Sequence, residues 1–146
     1  MIRAKEEYKN GFIIFLLLGL FFLIIDLAGL SDVAYLRVVN IAFILFGVNL
    51  TLKQLSEKKE NYLKLFTSGM ITALFGIVLS LIGLFIYMQI TGAEISEYST
   101  TIIPTTNMSR YFLVLFAEGL SSSIIAVFAL MQYWKAETVS NADIKK

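Results

Sequence analysis

The chain has no cysteine, no histidine and a single proline among its 146 residues. Without cysteine there is no disulfide and no thiolate metal site, and the four-helix quinone–thiol oxidoreductases, which need cysteine pairs, are excluded. Without histidine there is no HExxH zinc helix, no axial haem histidine and no imidazole base for a serine nucleophile. Charge is sparse as well. Charged residues make up 16% and the formal net charge is +1, which leaves no electrostatic footprint for nucleic acid. There is no glycine-rich phosphate loop, no nucleophile elbow and no aspartate cluster of the kind that holds magnesium in membrane lipid-phosphate transferases. Ser121, Ser122 and Ser123 stand together without a base. These absences argue against an enzyme, and neither a cofactor nor a metal is expected.

Apolar residues are what the chain has in excess. They form 58% of the sequence, and the mean hydropathy is +0.77, well above what a soluble globule of this size needs. They collect in four runs at about 11–30, 33–52, 65–90 and 111–134. A helix rises about 1.5 Å per residue, so roughly 20 residues cross a hydrocarbon core about 30 Å thick. The expectation is an all-α integral membrane four-helix bundle, a single domain over residues 1–146. The first run follows a basic stretch carrying Arg3, Lys5 and Lys9, as a secretory signal does. It is longer than the roughly 7–15 residues of a signal core, so it is read as a retained transmembrane helix.

Lysine and arginine set the expected orientation. Ten of them fall at the N-terminal stretch, the 53–64 link and the C-terminal tail, against only Arg37 and Arg110 on the other side. Both termini and the middle link are therefore expected in the cytoplasm. Aromatic residues fall at the same boundaries. Tyr8, Tyr62, Tyr133 and Trp134 mark the inner edge, and Tyr35, Tyr87 and Tyr111 the outer edge, as an interfacial belt requires.

The links differ in character. Ser31 and Asp32 leave room only for a tight outer hairpin between the first two runs. The link at 53–64 is polar, and Glu60 and Lys64 are spaced to pair on a helical extension of the third run. The outer link at 91–110 is rich in Ser and Thr and holds Pro104 beside Ile102 and Ile103, which suits rest on a membrane surface or a partner. Asn107-Met108-Ser109 matches a glycosylation sequon by spacing only.

Helices in lipid are not driven together by the hydrophobic effect, so small residues mark where they approach. In the third run Gly69, Ala73, Gly76, Ser80 and Gly83 alternate steps of four and three, a heptad seam of left-handed packing. The seam suits a four-helix bundle or a contact between two copies. Weaker faces recur elsewhere: Gly19 with Asp26, Asn40 with Gly47, and Gly119 with Ser122, Ser123 and Ala126.

Ionisable groups inside a bilayer normally pair, face water or mark function. Asp26, Arg37 and Glu118, with Asn40 one turn from Arg37, all fall in the outer half of the bilayer. At 1.5 Å per residue the charges lie roughly 6–10 Å below the surface. An Arg37–Glu118 or Arg37–Asp26 pair would neutralise them, as a structural ion pair or as a ligand or coupling-ion site.

Residues 42–97 also resemble a family of small four-helix membrane proteins from Bacteroidetes, the DUF4199 type. The resemblance lies in Phe46-Gly47 near the end of the second run, the short charged link, then Tyr62, Phe66 and Gly69, and finally Ile86-Tyr87 before an outer loop with acidic residues and proline. It implies a bacterial inner-membrane setting and no particular activity. Two functions fit the residues. One is a non-enzymatic accessory or scaffold subunit in contact with the lipid bilayer and packing with other membrane proteins or as a homo-oligomer. The other is a small oligomeric transporter or channel built on Asp26, Arg37, Asn40 and Glu118.

Overall fold

A computed structural model describes the backbone of residues 2–30, 37–94 and 107–144, and the side chains of 5–30, 38–94 and 107–135. Four helices account for nearly all of it: α1 (Ile2–Leu27), α2 (Arg37–Glu57), α3 (Tyr62–Thr91) and α4 (Met108–Ile144). Each carries a stretch long and apolar enough to cross a membrane, at Lys5–Leu27, Val38–Glu57, Tyr62–Thr91 and Met108–Lys135. Among the described residues there is no strand. The chain is an all-α, multi-pass membrane protein. In lipid the backbone must satisfy itself, and a helix does so within one segment.

The helices run alternately up and down, so the chain ends and the α2–α3 turn lie at one end of the bundle, here the terminal end. The connections after α1 and after α3 lie at the hairpin end. α1 packs on α2 and α3, α4 packs on the same two, and α2 and α3 meet across the middle.

Helix boundaries follow local chemistry. The apolar run suggested a first helix through residue 30, yet α1 stops at Leu27. Gly29 takes φ 70°, its N–H bonds Asp26 O at 3.0 Å and the Leu30 N–H bonds Ile25 O at 3.0 Å. That is a Schellman end, which glycine permits because it has no Cβ. The expected tight hairpin at Ser31-Asp32 lies outside the described residues. α2 ends with the same pair of bonds, Lys59 N–H to Ser56 O at 3.0 Å and Glu60 N–H to Leu55 O at 3.3 Å. Here Lys59 occupies the left-handed position, at φ 53°. α3 does extend into the polar link, beginning at Tyr62 after an extended Asn61. Glu60 and Lys64 pair at 2.8 Å, although Glu60 precedes the helix.

The small-residue faces meet inside the bundle. A Cβ placed on Gly76 would lie 2.8 Å from Ile14 Cβ and 2.9 Å from the Gly11 carbonyl. One on Gly11 would lie 2.8 Å from Thr72 O, so α1 and α3 touch backbone to backbone. Gly47 of α2 receives the Ile14 side chain from the other side. Gly69 faces Val127 of α4 at 3.2 Å, Gly83 faces Phe15 at 3.0 Å, and Gly119 of α4 faces Ile77 at 3.1 Å. The α3 seam thus serves α1 through Gly76 and Gly83, and both α4 and α2 through Gly69, beside Val127 and Leu52.

Candidate functional site

The terminal half of the bundle is closed. Ile14, Val48, Leu52, Ala73, Val127 and Met131 are essentially inaccessible and form its core. Through this core runs a chain of polar side chains that helical periodicity did not single out. Asn10 Nδ2 donates to Thr51 Oγ1 at 2.9 Å, Thr51 and Thr72 hydroxyls meet at 2.9 Å, and Thr72 donates to Ser68 O at 2.9 Å. A hydroxyl has one hydrogen, so the use of Thr72's on Ser68 makes Thr51 the donor between the two threonines. The direction is then fixed from Asn10 to the α3 backbone. A second link, Trp134 Nε1 donating to Asn49 Oδ1 at 3.0 Å, ties α4 to α2. Every buried side-chain nitrogen and oxygen among the described residues has a partner.

In the hairpin half all four helices line a cavity of about 440 Å³. Its deepest walls, Phe15, Ile44, Ile77 and Ser122, lie at the middle of the bundle, and Tyr87, Tyr111 and Leu30 lie at its upper end. All the lining residues from α1 are apolar or glycine. Asn40 comes from α2, Ser80 from α3, and Glu118 and Ser122 from α4. Ser80 turns its proton back to Gly76 O at 2.7 Å.

The four members of the expected charge cluster part company. Asp26 accepts a hydrogen bond from the Tyr87 hydroxyl at 2.5 Å, bridging the last turn of α1 to α3. Phe22 packs edge-on against the same Tyr87 ring. Asn40 and Glu118 both line the cavity. Arg37 is the first residue of α2, and its side chain, with both expected pairings, lies outside the described residues. Glu118 was expected among buried charges, yet it is exposed on the cavity side of α4. The adjacent Gly119 rests on Ile77, next to the midpoint of the 30-residue α3. Glu118 therefore stands three to four residues from the midpoint of the Met108–Lys135 span, about 5 Å at the helical rise.

The aromatic belt divides in the same way. Tyr8, Tyr62 and Tyr133 are largely exposed at the terminal end. Tyr87 is engaged by Asp26, and Tyr111, expected at an edge, is 4% exposed in a small cluster with Met88. Tyr35 falls outside the described residues. Period alone marks a tyrosine at a boundary without saying whether its ring turns to lipid or inward.

These features define a class: a multi-pass, four-helix membrane protein, closed at one end and hollow at the other. No family model matches the chain, and it matches no curated protein and no solved structure.

Proposed function

We propose that this chain is a non-enzymatic accessory or scaffold subunit of a bacterial inner membrane, with both termini and the α2–α3 turn in the cytoplasm. The observation that carries the reading is the closed terminal half. Ile14, Val48, Ala73 and Ile77 fill the middle of the bundle, so a solute passing between the four helices would have to break close backbone contacts. The orientation is supported by the ten-to-two distribution of lysine and arginine. The bacterial setting is supported by the likeness of residues 42–97 to the Bacteroidetes family. Purification in mild detergent from the native membrane tests the role: a second membrane protein should travel with the chain in fixed ratio. Because the chain contains no cysteine, Ser56→Cys and Ala93→Cys report orientation cleanly. An impermeant thiol reagent on intact cells should label position 93 and spare 56; the reverse would overturn the orientation.

A second reading, a small oligomeric transporter, is favoured by one observation, the carboxyl of Glu118 on the wall of a cavity near the mid-plane. Arg37→Met combined with Glu118→Met separates the two. Under the accessory reading the double variant is stable and still complements a deletion. A stable double variant that fails to complement would move the chain to the transporter class.

A further inference from the structure

We propose that the cavity of the hairpin half is a binding site for one acyl chain of a bilayer phospholipid, drawn from the leaflet at that end. This goes beyond the accessory reading and stands whether or not a protein partner is found.

Depth is the first argument. The floor is at Ile77, beside the midpoint of α3, and the top is at Tyr87. Ten residues of helix separate them, about 15 Å, which is half of a hydrocarbon core about 30 Å thick. The cavity thus spans one leaflet and stops where that leaflet's tails stop. At its top, the Tyr87–Asp26 pair places a phenol and a carboxyl where a lipid's polar head begins.

The walls are the second argument. Leu16, Leu20 and Leu23 of α1 line the cavity with Leu81 and Leu84 of α3, and these surfaces hold no hydrogen-bonding side chain for water. The polar groups Asn40, Glu118 and Ser122 belong to α2 and α4. On the α1–α3 side beside Gly19 the polar lining groups are Ser80, whose proton is turned back to Gly76 O, and Tyr87 at the top, whose hydroxyl donates to Asp26. The three α1 leucines are all substantially exposed, Leu20 at 58%, so the space is open to its surroundings, which inside a membrane are acyl chains. At about 440 Å³ it falls within the roughly 300–1,000 Å³ of ordinary ligand pockets. A cavity of this size left empty would forfeit the dispersion contacts of its whole lining.

Gly19 supplies the test, because a Cβ built there meets nothing within 4 Å. The protein is reconstituted in phosphatidylethanolamine–phosphatidylglycerol vesicles, extracted into mild detergent and weighed intact by native mass spectrometry. The wild type should keep one phospholipid, and Gly19→Phe, whose ring fills the cavity, should keep less than about a tenth as much. Equal retention by both, a lipid-free wild type, or a doubled chain mass that collapses in Gly19→Phe would overturn the proposal, the last by making a second copy the occupant. Gly19→Cys reads the same space without filling it. In vesicles its thiol should resist a charged methanethiosulfonate reagent under conditions that modify Ser56→Cys in the same preparation with both faces accessible. Rapid modification at position 19 would mean a water-filled cavity and sink the idea.

Discussion

The two halves of the bundle solve one problem differently. At the terminal end, glycines on α1, α2 and α3 bring backbones together around Ile14, and the buried polar groups hand a proton donor from helix to helix. At the hairpin end, Gly19 meets nothing, and the helices surround open space. A glycine in a membrane helix is therefore not a packing signal by itself. Its meaning depends on whether a neighbouring backbone occupies the space it leaves.

The largest effect that would break this contrast is at Gly76. Overpacking typically costs about 1–3 kcal/mol, and Gly76→Leu should reach the upper end because one obstacle is the Gly11 carbonyl, a backbone atom. Gly19→Leu should leave thermal unfolding in detergent unchanged. Equal losses for the two glycines would dissolve the distinction between the halves.

Next in size is the hydroxyl of Tyr87. Tyr87→Phe removes the hydrogen bond that joins α1 to α3 above the cavity and should cost roughly 1 kcal/mol. Measured against Asp26→Asn in a double-mutant cycle, the effect should be non-additive, and strict additivity would place the two groups in separate roles.

The buried polar chain should contribute less. Hydrogen bonds between helices in lipid average about 0.6 kcal/mol, because the separated helices also find partners. Thr51→Val should lose about that much, while removing the acceptor of Asn10 and the donor to Thr72 together. A loss several times larger would show that the terminal half is held by polarity more than by close packing.

The smallest change is a gain at the α2–α3 turn. Lys59 holds a left-handed conformation that costs a side-chain-bearing residue about 1–2 kcal/mol. Glycine relieves that cost but adds freedom to the unfolded chain. Lys59→Gly should therefore raise stability by roughly 0.5 kcal/mol, read as a higher midpoint in detergent.

Much of the architecture could be read from the residues because it rests on length and period. Four apolar runs specify four spans, and Gly69, Gly76 and Gly83 in register specify where α3 is approached. The partners across space were not legible. Charge points from Asp26 to Arg37, yet the hydroxyl partner is Tyr87 of another helix, whose place in the sequence marks the lipid belt. Asn10 reads as the end of a basic flank, and Thr51 and Thr72 as ordinary helix positions, until three helices bring them within 3 Å of one another in sequence. The cavity is invisible to periodicity because it is made by side chains that stop short of each other.

The socket around Ile14 also has a temporal side. Gly47, which receives Ile14, lies on the next helix to be synthesised, so the first two helices leave the ribosome already able to engage. The Gly11–Gly76 contact closes only when α3 arrives. α4, the last helix in chain order, is seated through Val127 on Gly69 and Gly119 on Ile77. Assembly can thus follow the order of translation, each helix finding its seat prepared by those already in the bilayer.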